Sequence, residues 1–261
     1  MKNKSKFEHY QIIDKSTIIK TIEKYKVPKK LLSKGSNNAK TAKNLYPTYI
    51  LYMAPYTQNY KGINLCPQAS KGCAAACLFT AGRGKFSNVM QARINKANYF
   101  VSNKKAFIWQ LAAELVKINR LAKETTLIRL NGTTDIDFVY LLKKYSNLNI
   151  NDLTRLKFYD YTKVLQRALR YKDNPRYKVT FSRSENNETE CIEALNQGVN
   201  VAAVFSGHLP NTYKGFKVVD GDISDNEMLY YNGVVLGLKA KGDAKKDDSN
   251  FVIKTEVTIL N

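Results

Sequence analysis

The apolar positions of this chain change period several times, and each change marks an element. Residues 1–44 are lysine-rich with few apolar positions. A weak three-to-four-residue step over "STIIKTIEKYKV" (16–27) predicts some helix within a basic N-terminal extension. "LYPTYILYMAPYT" (45–57) is aromatic and β-prone and predicts a strand. Beyond residue 87 the period lengthens. Phe100, Phe107, Ile108, Leu111, Leu115 and Ile118 predict one helix over 87–124, with Ser87 as its N-cap. Short apolar runs then alternate with helical stretches. Strands are predicted at 126–132, 155–162, 176–184, 199–207, 216–222 and 233–242, and helices at 136–147, 163–172 and 187–198. The strands are apolar on both faces, as covered parallel strands are. Repeated β/α units predict an α/β fold in one domain over 45–261, its parallel sheet either doubly wound or, as the favoured form, a complete or partial barrel of the TIM type.

The polar residues that end these strands carry chemistry. They are Asn131-Gly132-Thr133-Thr134-Asp135, Asp160-Tyr161-Thr162-Lys163, Ser182-Arg183-Ser184-Glu185, Ser206-Gly207-His208 and Asp220-Gly221-Asp222. Parallel α/β folds build their sites at the carboxyl ends of strands, so five such ends predict one shared pocket. Asp160, Lys163, Ser182, Ser184 and Asp222 are the expected substrate-facing groups.

The densest signal lies between the first strand and the long helix. "NLCPQASKGCAAACLFTAGRGKF" (64–86) holds three of the four cysteines, Cys66, Cys73 and Cys77, spaced C-x6-C-x3-C. Structural zinc takes four ligands, commonly from paired knuckles, and no second pair exists here. Three local thiolates suit an iron–sulfur cluster with one iron open to another ligand, which is the leading reading; zinc and plain reduced thiols are the alternatives. Small residues around the trio would let the loop wrap an inorganic cluster, with Arg83 and Lys85 offsetting its negative charge. "GRG" with Lys85 is also a weak phosphate-binding candidate. Cys191, on a predicted helix, reads as a packed small hydrophobe.

Charge narrows the partners. Forty-two lysines and arginines against 22 aspartates and glutamates leave a net charge of +20. Such an excess attracts polyanions, so nucleic acid or a nucleotide is the expected partner. No apolar run approaches the ~20 residues of a membrane span, and the N-terminus lacks the features of a signal peptide, so no membrane role and a cytoplasmic location are expected. There is no Walker A motif and no arguable Ser-His-Asp triad. Asp220, Asp222 and Asp225 could hold Mg2+ for phosphoryl transfer, although such runs are more often turns.

Read together, "NLCPQASKGCAAACLFTAGRGKFSNV", "LIRLNGTTDIDF", "FYDYTK", "TFSRSENN", "VVDGD" and "VVLGLKAKG" resemble the gene-product-88-like family of phage and mobile-element proteins, over roughly residues 38–250. The resemblance implies a phage or mobile-element origin, hence the cytoplasm of a bacterial host, without naming an activity. The matching residues are Cys66, Cys73, Cys77, Arg129, Asn131, Gly132, Asp135, Tyr159, Tyr161, Thr162, Lys163, Ser182, Ser184, Asp220 and Asp222. More distantly, a strand, a three-cysteine loop, a long helix and a strand ending in a glycine-containing turn resemble the radical SAM enzymes. There the usual spacing is C-x3-C-x2-C, which differs from this one. That resemblance implies a [4Fe–4S] cluster on the three cysteines, and S-adenosylmethionine as a cofactor contacted by Arg129, Asn131, Gly132 and Asp135. The expectation is therefore a radical-SAM-like enzyme acting on a nucleotide or nucleic-acid-related substrate. The alternative is a nucleic-acid-binding protein stabilised by zinc or a structural cluster, without catalysis.

Overall fold

Strands buried on both faces pair side by side and need helices to cover them. The computed structural model describes residues 27–37, 41, 44–77, 84, 86–225 and 227–255. In it the strands are β1 (Leu32–Lys34), β2 (Thr48–Leu51), β3 (Thr126–Arg129), β4 (Leu156–Thr162) and β5 (Tyr177–Ser182), then β6 (Val201–Phe205), β7 (Thr212–Tyr213), β8 (Phe216–Asp220), β9 (Val235–Lys239) and β10 (Val252–Ile253). They form one ten-stranded sheet in the order β1-β2-β3-β4-β5-β6-β9-β8-β7, with β10 paired to β6. Only β1/β2 and β7/β8 are antiparallel.

The consecutive order from β2 to β6 winds in one direction, as in a barrel. The sheet is nevertheless open, and the complete TIM-type barrel is not formed. Each end is occupied by a short antiparallel strand, three residues in β1 and two in β7, and these do not pair with one another. β1 also places a strand within the stretch read as an N-terminal extension, and Leu31 and Leu32 are buried. The helical pattern predicted at 16–27 lies outside the described residues except for Val27.

The helices are α1 (Lys71–Ala75), α2 (Ser87–Ser102), α3 (Lys104–Leu121), α4 (Phe138–Ser146), α5 (Leu165–Tyr171), α6 (Glu188–Asn196) and α7 (Glu227–Tyr230). One continuous helix was expected over 87–124. It breaks at Asn103, whose non-helical backbone (φ −142°, ψ 75°) lets its side chain accept from the Ala106 N–H and cap α3. Ser87 does begin α2, but Phe86 occupies the cap position. Alternation divides the sheet's side chains between two faces. Ile128, Phe158, Val179, Phe181, Val201 and Val235 join the helices in the main core. Leu127, Tyr159 and Leu236 belong to a smaller cluster. No described helix is long and apolar enough to cross a membrane.

Candidate functional site

The carboxyl ends of the strands and the cysteine loop enclose one cleft of about 720 Å³. Cys66, Cys73 and Cys77 line it, with Arg129, Asn131, Gly132, Asp135, Lys163, Ser182 and Asp222. The structure thus gathers ten sequence-predicted residues that are up to 156 positions apart. Asp160 and Ser184, expected to face substrate, lie behind the lining. Along β4 Tyr159 and Tyr161 point to one face and Asp160 to the other, where it is 1% exposed. Ser184 is buried in the turn after β5, its N–H donating to Asn187 and its hydroxyl to Asn186. Cys191 is buried in α6 and packed in the core.

The cysteine loop is held from several sides. Cys66 donates its N–H to Asn64 Oδ1 at 2.8 Å, and its thiol lies 3.7 Å from the Thr133 carbonyl. Ser70 caps α1 by accepting from the Cys73 N–H. Glu185 then clamps the cap from the β5 turn, accepting the Gly72 N–H at 2.8 Å and the Ser70 hydroxyl at 2.6 Å. Gly72 is buried so tightly that a Cβ there would sit 2.2 Å from Ser249 Oγ. Burial pushes the Cys66 thiol up to about 11, the nearby Cys77 and Cys73 add to this, and the Tyr56 N–H opposes it. Burial likewise raises Cys73, against the opposing charge of Lys163. Cys66 therefore keeps its proton near neutral pH in the metal-free chain, and metal binding would displace it. Among the described residues no three His, Cys, Asp or Glu side chains come together to hold a single metal ion. Arg83 and Lys85 lie outside the described residues.

The "LNGTTD" turn is a rigid frame. Asn131 donates its amide to Ile136 O and to Asp160, and accepts from Thr134 and from the Ile136 N–H. Asp135 accepts the Lys163 N–H at 2.9 Å and pairs with Arg167. Gly132 is required by packing: a Cβ would meet Tyr52 Cδ1 at 2.6 Å. The D-G-D run is a turn of the same kind. Asp220 accepts the Asp222 N–H, and Asp222 accepts from the Lys239 N–H and the Lys241 ammonium. With these bonds made, the carboxylates form no group among the described residues that could hold a Mg2+ ion.

Arg129, Tyr161, Lys163 and Ser182 also line the cleft. The Arg129 guanidinium lies 4.8 Å from the centre of the Tyr161 ring, with its Nε donating to Asn131 O. Burial works to discharge it, but Asp225, Tyr159, Tyr161 and Tyr52 outweigh that and hold its proton more firmly than usual. Lys163 donates to the Arg183 carbonyl at 3.1 Å, and burial lowers its basicity against the pull of Cys73. Five cations (Arg129, Lys163, Arg183, Lys239, Lys241) and four carboxylates (Asp135, Asp222, Asp225, Asp243) line the cleft among the described residues.

The family model for gene product 88 matches residues 30–255. The chain belongs to the gene product 88 family. The match starts just before β1 and ends just after β10, so the family's span is that of the sheet. No curated protein and no solved structure matches the chain. The more distant resemblance to radical SAM enzymes gains no support from these comparisons. In this gene product 88 protein the sequence reading missed Gly72 as a packing residue and the roles of Glu185 and Phe251. Glu185 ends a predicted strand and was visible as a polar turn residue. Its partner lies 113 positions away, and that contact had no local signal. Phe251 reaches the cleft only because β10 inserts beside β6.

Proposed function

We propose that the cleft is the active site of an iron–sulfur enzyme, with Cys66, Cys73 and Cys77 as the three thiolate ligands of a [4Fe–4S] cluster. The observation that carries this reading is that all three thiols line one cleft, while among the described residues they form no group that could hold a single metal ion. A single tetrahedral zinc draws its sulfurs to within ~4 Å of each other. A cluster spreads its thiolates around a larger body and leaves one iron to a further ligand. The surroundings fit such a group. Ala69, Ala74, Ala75 and Ala76 leave room on the same wall, and Lys163 stands beside Cys73 against the thiolate charge.

The finer part of the proposal follows the radical SAM resemblance, with S-adenosylmethionine bound in the cleft beside the cluster. The consecutive order β2 to β6 is compatible with a partial barrel of that kind. The cleft volume lies in the range of small-molecule sites. Bound together, these groups supply one-electron chemistry. The chain's own residues do the rest. Glu185 and Ser70 orient α1, Asn131 and Asp135 stiffen the opposite wall, and Lys163 and Ser182 present polar groups to the substrate. The charge of +20 favours a nucleotide or nucleic-acid-related substrate.

The same charge favours one competing reading, a metal-stabilised nucleic-acid-binding protein without catalysis. Anaerobic purification with iron, sulfide and zinc analysis, on wild type and Cys73→Ala, separates the two. About four irons and four sulfides, lost in the variant, support the cluster. Reductive cleavage of S-adenosylmethionine then tests the finer part. Stoichiometric zinc without iron overturns the enzyme reading and leaves the binding protein, whose nucleic-acid affinity must fall steeply with salt.

A further inference from the structure

A guanidinium carries five N–H donors in a rigid fork. In Arg129 the Nε donor is used on the Asn131 carbonyl at 3.3 Å. Among the described residues Nη1 and Nη2 make no hydrogen bond, and the carboxylate that acts on the guanidinium most strongly is that of Asp225. The guanidinium carbon stands 4.8 Å from the centre of the Tyr161 ring. Arg129 lines the cleft, with the end of its fork not taken by a hydrogen bond among the described residues.

The neighbouring cations are placed differently. Arg183 is spent on Glu188 and on the carbonyls of Asn250 and Phe251. Lys241 is paired with Asp222, and Lys239 is exposed at the rim. An ionised group removed from water is costly unless an opposite charge lies near it. For Arg129 that charge is Asp225, which with three tyrosines keeps the guanidinium protonated without taking up its Nη donors.

We infer that Arg129 is an oxyanion-binding group, and that the cleft takes a small organic anion by a carboxylate or phosphate seated on the Arg129 fork. Both groups match that fork with two parallel N–H···O bonds. The rest of the ligand is apolar or planar. Tyr161 offers a ring beside the fork, and Ala202, Val204 and Leu238 supply an apolar wall. Among the described residues five cations and four carboxylates line the cleft, so the seat proposed for the anion is local to Arg129 rather than spread over the cleft. The inference concerns the same cleft as the proposed enzyme site but does not depend on what the thiols hold.

Phenylglyoxal modification of the full chain, with peptide mass mapping, tests this without a mutation. The probes are inorganic phosphate and acetate, with chloride at matched ionic strength as the control. Either anion at ten times its dissociation constant should slow modification of Arg129 about tenfold. The exposed Arg120 and Arg170 should keep their rates. Stronger protection by phosphate assigns a phosphate-bearing ligand, and stronger protection by acetate a carboxylate. Equal protection by chloride, or equal protection of Arg120 and Arg170, overturns the inference as a salt effect. An Arg129 that never reacts also overturns it, since a fork closed to a small dicarbonyl is closed to a ligand. In calorimetry Arg129→Lys, which keeps the charge and loses the fork, should bind the preferred anion about tenfold more weakly. Unchanged affinity in that variant counts against the inference.

Discussion

Asp160 shows how far a residue's role depends on its neighbours. By type and position it reads as an acid at a strand end. In the fold it accepts from the Asn131 N–H at 2.7 Å, from the Asn131 amide at 3.2 Å and from the Tyr177 hydroxyl at 3.2 Å. Burial dominates these bonds and pushes its carboxyl up from 3.8 to about 6. The sign follows from linkage. Between those two values the folded chain holds a proton that the unfolded chain has released, so stability falls as pH rises through the window. The loss is complete above about 6, absent below about 3.8, and amounts to up to ~3 kcal/mol. Chemical denaturation across this range, wild type against Asp160→Asn, should show the pH-dependent difference in wild type only. A flat difference would place the Asp160 pKa near that of a free carboxyl.

At the scale of elements, α1 has five residues and cannot be stable by itself. It exists because Ser70 caps it, Glu185 holds that cap, and Gly72 lets Ser249 and Phe251 approach. Replacing Glu185 by Ala leaves the Gly72 N–H without its acceptor and should cost about 1–3 kcal/mol. Thermal stability should drop, and with it the metal content of the proposed cluster site, because Cys73 rides on this helix. Glu185→Gln keeps one acceptor and should recover most of the loss in both assays. Equal behaviour of the two variants would mean that the clamp does not set the loop. The α2/α3 break is another consequence of local hydrogen bonding. An asparagine within a helical period is a second start as readily as a helix residue.

Across the whole molecule the cleft depends on a split in the sheet. β5 pairs with the first residues of β6, at Val201 and Ala202, and β10 takes its place along Val204 and Phe205. The turn feeding β10 is tied by Asp247, which accepts from Ser249 Oγ at 2.6 Å and from the Val252 N–H at 2.9 Å. That turn also presses on α1 at Gly72, and Ala76 packs with Phe251 and Val252. Asp247→Ala should therefore speed hydrogen exchange in two places, at residues 250–255 and at residues 71–77. Faster exchange in the first segment alone would show that the C-terminal segment and the cysteine loop are not coupled. The five cations and four carboxylates that line the cleft account for little of the net +20.

Apolar period and strand-end polarity by themselves determined the α/β class, the parallel strands β3 to β6, and the meeting of the thiols with Arg129, Lys163, Ser182 and Asp222. These follow because parallel strands in β/α units bring their carboxyl ends to one side. Tertiary structure decided what no local pattern carries. Short antiparallel strands at both ends left the sheet open. Side-chain alternation turned Asp160 away from the cleft. Close packing against Tyr52 made Gly132 a spacer in the wall. Contacts over more than a hundred positions made Glu185 the clamp of the cysteine loop, since hydrogen bonds between distant segments leave no periodicity in either one.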